Sequence, residues 1–301
     1  MLSRRSLLKM LTGALAGAFG FGGYAFGIEP AHRLTLARYR LRPDRFGGLK
    51  LRIACFSDLH ASEPQMGEAR ITAMVDLLNS LGADVILALG DYGMGQTFYA
   101  RPVPLTRVSG LLSRLRAPLG QYAVLGNHDY WGSSLKNWPY TRAKVNDTAD
   151  GYRTMLREGG FTLLENDVVR LSAAGRPFWL VGTGSSIALP IRASHFESFA
   201  DLDGQLAKLT DDAPAILMAH EPDLFVRVPG RIALTLSGHT HGGQVRLFGY
   251  SPHTPSNYGN RFAYGHIIED DRHLIVSGGL GTSVLPVRFG VPPEVLLIEI
   301  G

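Results

Sequence analysis

The sequence has a single cysteine, Cys55, so no intrachain disulfide can form. Cys55 lies within the apolar run 51–56, and we interpret it as a small buried hydrophobic residue rather than a reactive thiol. The chain also lacks an internal repeat, a low-complexity tract and a clean linker after residue 48. With 301 residues, 45% of them hydrophobic, it is long enough for one large α/β domain or two small ones.

Acidic residues are scarce at the N-terminal end. Residues 1–50 hold nine Lys and Arg against Glu29 and Asp44, a net charge of +7, so residues 51–301 carry −3 of the overall +4. The slightly acidic body offers no basic surface for a phosphate backbone, and we expect no nucleic-acid partner. Basic residues beside an apolar segment fit an anionic membrane surface better, so we expect the N-terminal segment to contact a membrane.

Residues 1–30 indicate a targeting segment. Ser3-Arg4-Arg5-Ser6-Leu7-Leu8-Lys9 precedes an apolar, acid-free stretch over 10–28 and resembles the twin-arginine export signal. A plain signal anchor whose positive flank carries two arginines is the alternative. Ala25-Phe26-Gly27 matches a processing site poorly, and the 19 residues of 10–28 nearly span a hydrocarbon core of about 30 Å. Cleavage and anchoring therefore both stay open.

After residue 30, apolar strands repeatedly stop at polar clusters. We expect residues 31–48 to form a strand and a turn leading into the core, and 49–301 to form the main domain. Five apolar strands end in this way: 51–56, 84–89, 121–125, 215–218 and 232–236. Helical patterns over 66–81 and 105–115 separate the first three, which favours parallel pairing. Ligands bind beyond the carboxyl ends of such strands, so the five clusters should converge on one rim.

The remaining segments favour a second sheet. Residues 161–187 contain two short strands and 260–300 is strand-rich, while 130–147 looks like a loop excursion. A second sheet facing the first, with helices outside, would bury these apolar faces. The excursion contains three aromatic residues: Trp131, Trp138 and Tyr140. We interpret them as loop packing, with an apolar lip over the site as the alternative.

The residues that follow the strand ends are all of types that bind metal ions or transfer protons: Asp58, His60, Asp91, Asn127, His128, His220, His239 and His241. Each one alone is ordinary near a turn. Five strand ends that present oxygen and imidazole groups to one rim are costly unless cations compensate the packed polar groups. Two cations about 3.5–4 Å apart clamp a phosphoryl group and activate a bridging water, so the pattern predicts phosphoryl chemistry.

Spacing also suggests how the ligands are shared. A ligand that bridges two cations needs a carboxylate with one oxygen for each, and Asp91, which follows Gly90 at a strand tip, is the natural bridge. Asp58 and His60 lie two residues apart on what we expect to be an extended segment, so both should reach one ion. The same argument pairs His239 with His241.

Five short motifs carry a family resemblance: Asp58-x-His60, Gly90-Asp91, Gly126-Asn127-His128-Asp129, His220 and Gly238-His239-Thr240-His241. In order and spacing, over residues 51–246, they resemble the signature blocks of the calcineurin-like metallophosphoesterase family. The resemblance implies an α/β fold, a four-layer α/β/β/α sandwich of two mixed sheets with helices on the outer faces, around a two-metal centre.

Carried over position by position, the resemblance also implies roles. Asp58, His60 and His241 would bind one ion; Asn127, His220 and His239 would bind the other; Asp91 would bridge them. His128 would be a catalytic non-ligand that donates to a phosphoryl oxygen or to the leaving group, and Asp129 would be the carboxylate that orients it.

A narrower likeness concerns the branch of the family. Residues 238–244, 277–281, 286–288 and 292–294 look like an exported or membrane-associated bacterial branch, which includes general phosphodiesterases and hydrolases of UDP-2,3-diacylglucosamine. Within it we expect Arg288 to contact a substrate phosphate, with an ion pair to Glu294 or another acid as the alternative. Tyr92-Gly93-Met94-Gly95 departs from the acidic or Arg-bearing stretch of many protein phosphatases in the family, which argues against that activity.

We therefore predict a two-metal hydrolase of phosphate esters that cleaves a phosphodiester or pyrophosphate bond by attack of a metal-bridging water, with His128 as acid or phosphoryl stabiliser. A phosphomonoesterase and a non-catalytic metal-binding scaffold are the alternatives. The two divalent ions would be Mn, Fe, Zn or Co, all of which these ligand types accommodate. We expect a monomer at the bacterial cell envelope, either periplasmic or anchored on the outer side of the cytoplasmic membrane. The candidate substrates include lipids and nucleotide-lipids.

Overall fold

The computed structural model describes residues 4–95, 99–132, 139–192 and 195–301. In chain order its strands are β1 (Thr35–Leu41), β2 (Leu51–Phe56), β3 (Ser62–Glu63), β4 (Val85–Ala88), β5 (Arg101–Pro102), β6 (Gln121–Ala123), β7 (Thr162–Leu163), β8 (Asp167–Ala173), β9 (Arg176–Gly182), β10 (Leu189–Arg192), β11 (His195–Glu197), β12 (Ala215–Met218), β13 (Ile232–Ser237), β14 (Gly265–Glu269), β15 (Arg272–Val276) and β16 (Glu294–Ile300).

Helices are concentrated in the N-terminal half. They are α1 (Arg4–Gly23), α2 (Glu29–His32), α3 (Glu68–Ser80), α4 (Leu105–Leu112), α5 (Asn127–Trp131), α6 (Arg142–Glu158) and α7 (Leu202–Leu206). A π-helical turn, Tyr24–Ile28, joins the first two. Short 3-10 turns are formed by Asp44–Phe46, Pro222–Arg227, His241–Gly243 and Gly259–Phe262.

Two mixed sheets form the centre of the molecule. The first has the strand order β1-β16-β2-β4-β6-β7, and all its pairs are parallel except β16 with β2. The second has the order β14-β15-β13-β12-β9-β8, with parallel pairs in the middle and antiparallel pairs at both edges. The central strands are thus parallel in both sheets, and their carboxyl ends are available to one site.

Successive side chains of a central strand point to opposite faces of its sheet and so enter two different cores. In β2, Ile53 and Cys55 point into the core between the two sheets, whereas Ala54 and Phe56 point to the core under the helices. Across the inter-sheet core lie Phe178 and other side chains of the second sheet. Cys55 is therefore the buried small residue that its sequence context predicted.

Helices cover both outer faces. On the first sheet, α3 buries its predicted apolar face, including Ile71 and Leu78, in the core that also contains Phe56 of β2, and it packs beside α4. On the second sheet, α7 and the 3-10 turns contribute Leu202, Phe225 and Phe262. This arrangement confirms the four-layer α/β/β/α sandwich.

Helix α6 is the main element that the sequence did not reveal. Its first residues fall within 130–147, which we had expected to be a loop, so that expectation was wrong. The helix buries only Val145, Ala149, Met155 and Leu156, a sparse apolar face in a polar segment. Its packing against α4 and α5 supplies the stabilisation that an isolated segment of this composition lacks.

The N-terminal helices end against the body of the protein. Ala25 and Glu29 are buried, and the carbonyl of Ala25 accepts a hydrogen bond from the backbone N–H of Arg288 at 2.9 Å. The ring of Phe21 lies 4.6 Å from that of Phe289. Among the described residues, no helix combines the length and the apolar character needed to cross a membrane. The role of residues 1–30 in targeting stays a prediction.

Candidate metal centre

Five strand ends bring the predicted ligand side chains together. Asp58 follows β2, Asp91 follows β4, Asn127 follows β6, His220 follows β12 and His239 follows β13. The first three strands belong to one sheet and the last two to the other. The site therefore lies where the carboxyl edges of the two sheets meet, which is the common rim that the sequence predicted.

Several of the predicted ligand residues have an unusual backbone conformation. The left-handed region is occupied by Asp58 (φ 51°), His60 (φ 42°), Asp91 (φ 58°), His239 (φ 69°) and His241 (φ 52°). For non-glycine residues this conformation costs on the order of 1 kcal/mol each, and such outliers cluster at functional sites. Our expectation of an extended segment at Asp58–His60 was wrong, because the chain turns sharply at each of these residues.

One candidate metal group consists of Asp58, His60 and His241, whose ligand atoms all lie within 4.8 Å of one another. Nε2 of His241 is 3.3 Å from Oδ1 of Asp58 and 3.2 Å from Nε2 of His60. Burial raises the pKa of Asp58 to about 6 and lowers the pKa of His60 to about 3, because it disfavours the charged form of each group. A bound cation favours the carboxylate and the neutral imidazole, which are the ligating forms.

The second group consists of Asp91, His220 and His239. Nε2 of His220 is 3.1 Å from Oδ2 of Asp91, and Nδ1 of His239 is 2.8 Å from Oδ1 of Asn127. His239 and His241 thus belong to different groups, so pairing them by their spacing was wrong. The division is the one that the family resemblance implied, and the roles of these residues as ligands stay a prediction.

Asp91 lies between the two groups. Its Oδ1 accepts the backbone N–H of His128 at 2.8 Å. Its Oδ2 lies 3.1 Å from Nε2 of His220 in one group and 3.8 Å from Nε2 of His60 in the other. We had expected one carboxylate oxygen for each ion, but only Oδ2 faces both groups.

The donor set fits two divalent cations. Nδ1 of His60 hydrogen-bonds to the carbonyl of Gly93 at 2.7 Å, and Nδ1 of His220 to the carbonyl of Leu89 at 2.6 Å. A carbonyl only accepts, so each Nδ1 carries the proton and each inward Nε2 presents a lone pair. Within the described part of the chain, Nε2 of His220 and Oδ2 of Asp91 are buried and make no hydrogen bond. Acceptors buried against one another are unfavourable unless a cation binds them.

His128 lies beside both groups without belonging to either. It is half-buried, its ring is 5.1 Å from that of His60, and its Nε2 is 3.4 Å from Oγ of Ser283. Burial lowers the pKa of His128, which favours the neutral imidazole. A neutral imidazole still has one N–H that can donate to a phosphoryl oxygen.

Asp129 does not orient His128 as we had expected. Its carboxylate accepts backbone N–H groups from Gly126 (2.8 Å), Asp91 (2.9 Å) and Tyr92 (2.8 Å). Three such bonds fix the loop after β4 against the start of α5. The carboxylate therefore positions the backbone of Asp91 and not the ring of His128.

Arg288 is likewise not where a substrate-binding residue should be. Its side chain is fully buried (0% exposed), and it donates to the carbonyls of Gly278 (2.8 Å), Gly281 (3.0 Å) and Val291 (2.9 Å). Its Nη2 also lies 3.2 Å from Nδ1 of His241. Arg288 therefore positions the backbone behind the first metal group. This role replaces both the expected phosphate contact and the alternative ion pair with Glu294.

Arg288 acts on that group through the loop after β15. The N–H of Gly281 donates to the carbonyl of Asp58 at 2.7 Å. A side chain at Gly281 would place its Cβ 2.6 Å from Cβ of His60, so only glycine permits this approach. By holding the carbonyls of this loop, Arg288 holds the loop that carries Asp58 and His60.

A large cleft opens over the site. It has a volume of about 1690 Å³ and includes Asp91, His128 and His239 in its walls. Trp131 and Tyr140 also line it, so their position favours the apolar lip that we had held as the alternative to loop packing. The Trp131 ring stacks on that of Phe196 at 5.5 Å. Trp138 lies outside the described residues.

Sequence reasoning missed Glu221, which is buried at the edge of the cleft. It accepts hydrogen bonds from Ser185 Oγ and from the backbone N–H of Ser186 at 2.7 Å. These bonds tie the loop after β9 to the strand end that carries His220. The position of Glu221 directly after His220 was a signal that we did not use, whereas its serine partners lie far away in sequence and gave none.

Comparison with known proteins agrees with this geometry. The family model described as calcineurin-like phosphoesterase matches residues 51–243. The chain is 32% identical to the metallophosphoesterase YkuE of Bacillus subtilis (strain 168), over 99% of this chain and 98% of that protein. It is 29% identical to the phosphodiesterase YaeI of Escherichia coli (strain K12), over 100% of both.

A third relative carries a more specific name. The chain is 27% identical to the UDP-2,3-diacylglucosamine pyrophosphatase LpxG of Chlamydia trachomatis (serovar D), over 92% of each protein. The names of these relatives thus refer to cleavage of a phosphodiester bond in one case and of a pyrophosphate bond in another. In all three the similarity extends well beyond the five motifs.

The buried guanidinium gives a prediction about stability and metal binding. Arg288→Met should lower the free energy of unfolding by about 3 kcal/mol, because three buried carbonyls lose their donor at about 1 kcal/mol each. It should also weaken Mn²⁺ binding about tenfold, since the loop behind Asp58 and His60 loses its support. Urea denaturation and calorimetric titration measure the two effects. Arg261→Met, at an exposed arginine paired with Glu269, is the matched control; equal losses in the two variants would refute the positioning role.

Proposed function

Because the chain belongs to the calcineurin-like phosphoesterase family and is a hydrolase of phosphoric ester bonds, we propose that the bond it cleaves is a phosphodiester or a pyrophosphate. The observation that carries the proposal is the size of the cleft around His128 and the two metal groups. A volume of about 1690 Å³ far exceeds what a phosphoryl group needs, and it leaves room for a substituent on each side of the phosphorus. The names of the relatives YaeI and LpxG support the same choice of bond.

The chain's own residues supply positioning and proton donation. Two divalent cations, when bound, would polarise the phosphoryl oxygens and lower the pKa of the attacking water. The carboxylates and imidazoles of the two groups would hold them, with Asp91 shared. His128, whose imidazole faces the cleft, donates its N–H to a phosphoryl oxygen or to the leaving oxygen. Trp131 and Tyr140 give the substrate an apolar wall and exclude water from one side.

A lipid-linked ester is the substrate class that we propose for this cleft. Its walls include apolar side chains that belong to neither ligand group: Phe196, Leu224, Val226, Val245, Leu285 and Val287. Such a lining suits acyl chains better than a polar nucleotide alone. The relative LpxG is named for a substrate of this kind, a diacylated sugar nucleotide.

The proposed bond type predicts a rate ratio. The metal-loaded protein should hydrolyse bis-para-nitrophenyl phosphate at least about tenfold faster than para-nitrophenyl phosphate, because the cleft binds a substituent on both sides of the phosphorus. Initial rates at equal substrate and metal concentrations measure the ratio. The same sample is then tested on phospholipids, UDP-linked lipids and cyclic nucleotides, with its metal content determined. A faster rate on the monoester would make the protein a phosphomonoesterase, and no turnover on any ester would favour a metal-binding scaffold.

A second prediction concerns His128. The variant His128→Asn should lose about 10²-fold or more in kcat, because it removes the donor to the phosphoryl or leaving oxygen. Its metal content should be unchanged, since His128 belongs to neither metal group. The control is His253→Asn, at an exposed histidine that also lines the cleft. An unaltered kcat in the His128 variant would contradict the assigned role.

We also propose that the protein is exported by the twin-arginine route and acts as a monomer at the bacterial cell envelope. The pair Arg4-Arg5 and the acid-free segment that follows support this localisation. Replacing both arginines with lysine should keep the charge but abolish export, so the protein should accumulate in the cytoplasm of a bacterial host. Cell fractionation with immunodetection measures this. Unchanged export of the double variant would show that the segment is a plain signal anchor.

A further inference from the structure

Two neighbouring turns expose large apolar side chains beside the cleft. The exposed fractions are 107% for Phe248, 75% for Val284, 61% for Tyr250, 51% for Leu285 and 43% for Leu247. We call these five residues the apolar rim. Single exposed apolar residues are common on protein surfaces, but a group of them at one place marks a binding surface.

Hydrogen bonds connect the two turns into one surface. The amide of Gln244 donates to the carbonyls of Ser283 (3.0 Å) and Leu285 (3.3 Å), and it accepts the N–H of Ser283 at 2.8 Å. Leu247 and Tyr250 close the other turn with a pair of backbone hydrogen bonds. The rim is therefore a structured feature of the fold.

The backbone is strained to present these side chains outward. Phe248 has φ 50° and Val284 has φ 62°, which is the left-handed region. A β-branched residue there is an outlier, and glycine or asparagine would fit at lower cost. Since neither side chain is buried, packing within the chain does not explain the choice of a large apolar residue.

The rim stands at the mouth of the cleft and next to the N-terminal helix. Val284 and Leu285 line the cleft that contains His128. Phe289 hydrogen-bonds to Arg246 and Gln244 in the neighbouring turn, and its ring contacts that of Phe21 at the end of α1. The apolar, basic helix α1 thus joins the body beside the rim.

Charge near the rim favours an anionic surface. The segments that form it, residues 241–268 and 272–293, contain no Asp or Glu; Asp223, an acidic residue bonded to them, is held by Ser256 and Asn257. Helix α1, whose C-terminal end contacts Phe289, contains no acidic residue and has Arg4, Arg5 and Lys9 in its N-terminal turns. Carboxylates are repelled by anionic lipid headgroups and basic residues are attracted to them, so this distribution is complementary to such a membrane.

From these observations we propose that the apolar rim inserts into the surface of an anionic phospholipid bilayer, so that the cleft opens onto the lipid headgroups. Turn tips that carry several exposed large side chains suit insertion among headgroups, whereas a protein partner fits a flat or concave apolar surface. The binding does not depend on the proposed function. Access of a lipid-linked ester to His128 from the bilayer does rest on it.

A fluorescent label tests the insertion directly in the full chain. The variant Phe248→Cys accepts a thiol-reactive, polarity-sensitive nitrobenzoxadiazole probe at one site, because the native Cys55 is fully buried. Ile268→Cys, at a position on β14 that is 56% exposed, is the matched control. With vesicles of phosphatidylethanolamine and phosphatidylglycerol, emission from the probe at position 248 should increase severalfold and shift to shorter wavelength, while emission at position 268 stays unchanged. Equal responses at the two positions would overturn the proposal.

A substitution tests the contribution to affinity. Phe248→Ser should weaken binding to the same vesicles about tenfold in a flotation assay, and Ile268→Ser should not, because only the first removes an inserted ring. Binding that is unchanged in both variants would assign all affinity to α1 and refute the rim. A third outcome would also overturn the proposal. If emission from the label at position 248 changes with protein concentration in the absence of lipid, and light scattering gives a dimeric mass, the rim is a contact between two copies of the chain.

Hydrolysis of a soluble ester separates this proposal from the proposed function. Phe248 does not line the cleft, so Phe248→Ser should hydrolyse bis-para-nitrophenyl phosphate at the parent rate. A chain that binds vesicles but hydrolyses no ester would refute the function alone. A chain that hydrolyses the soluble ester but shows no response at position 248 would refute the membrane contact alone.

Discussion

The structure depends on one buried oxygen, Oδ2 of Asp91, which lies among imidazole nitrogens of both metal groups. Within the described residues it has no hydrogen-bond donor, and Nε2 of His220, which faces it at 3.1 Å, has no partner either. Such a cluster of acceptors is unfavourable in a dry interior unless cations bind it. The left-handed backbone at Asp58, His60 and Asp91 has the same origin, because only sharply turned loops aim these side chains at one point.

Two buried charged residues stabilise this arrangement, and neither faces the substrate. Asp129 uses its carboxylate to hold three backbone N–H groups around Asp91, and Arg288 uses its guanidinium to hold three carbonyls behind His60 and His241. A charge fully removed from water needs a complete set of partners, and backbone groups provide it here. The geometry of the two candidate metal groups therefore rests on residues whose own role is structural.

The cleft and the rim follow from where the two sheets meet. Loops from both sheets leave the carboxyl edge, so residues of different origin line the cleft: Trp131 follows β6 of the first sheet and Val284 follows β15 of the second. The metal groups lie at the bottom, where His60 and His241 are at most 2% exposed. The large apolar residues lie at the mouth. This gradient from buried polar to exposed apolar groups is the reverse of an ordinary soluble surface, and it links the phosphoesterase chemistry to the proposed lipid contact.

The sequence by itself determined the strand ends, the ligand types and the family, because strand periodicity and the order of the motifs are local properties of the chain. It also indicated the four layers. It did not reveal α6, whose sparse apolar face is stable only against neighbouring helices. Spacing alone wrongly paired His239 with His241, because the left-handed backbone at both residues directs them to the two different groups that the family resemblance implied. The roles of Asp129 and Arg288 were likewise decided by tertiary structure. In a sequence, a charged residue beside a motif suggests a functional role. Only its packing in the folded protein determines whether its partners are substrate atoms or the protein's own backbone.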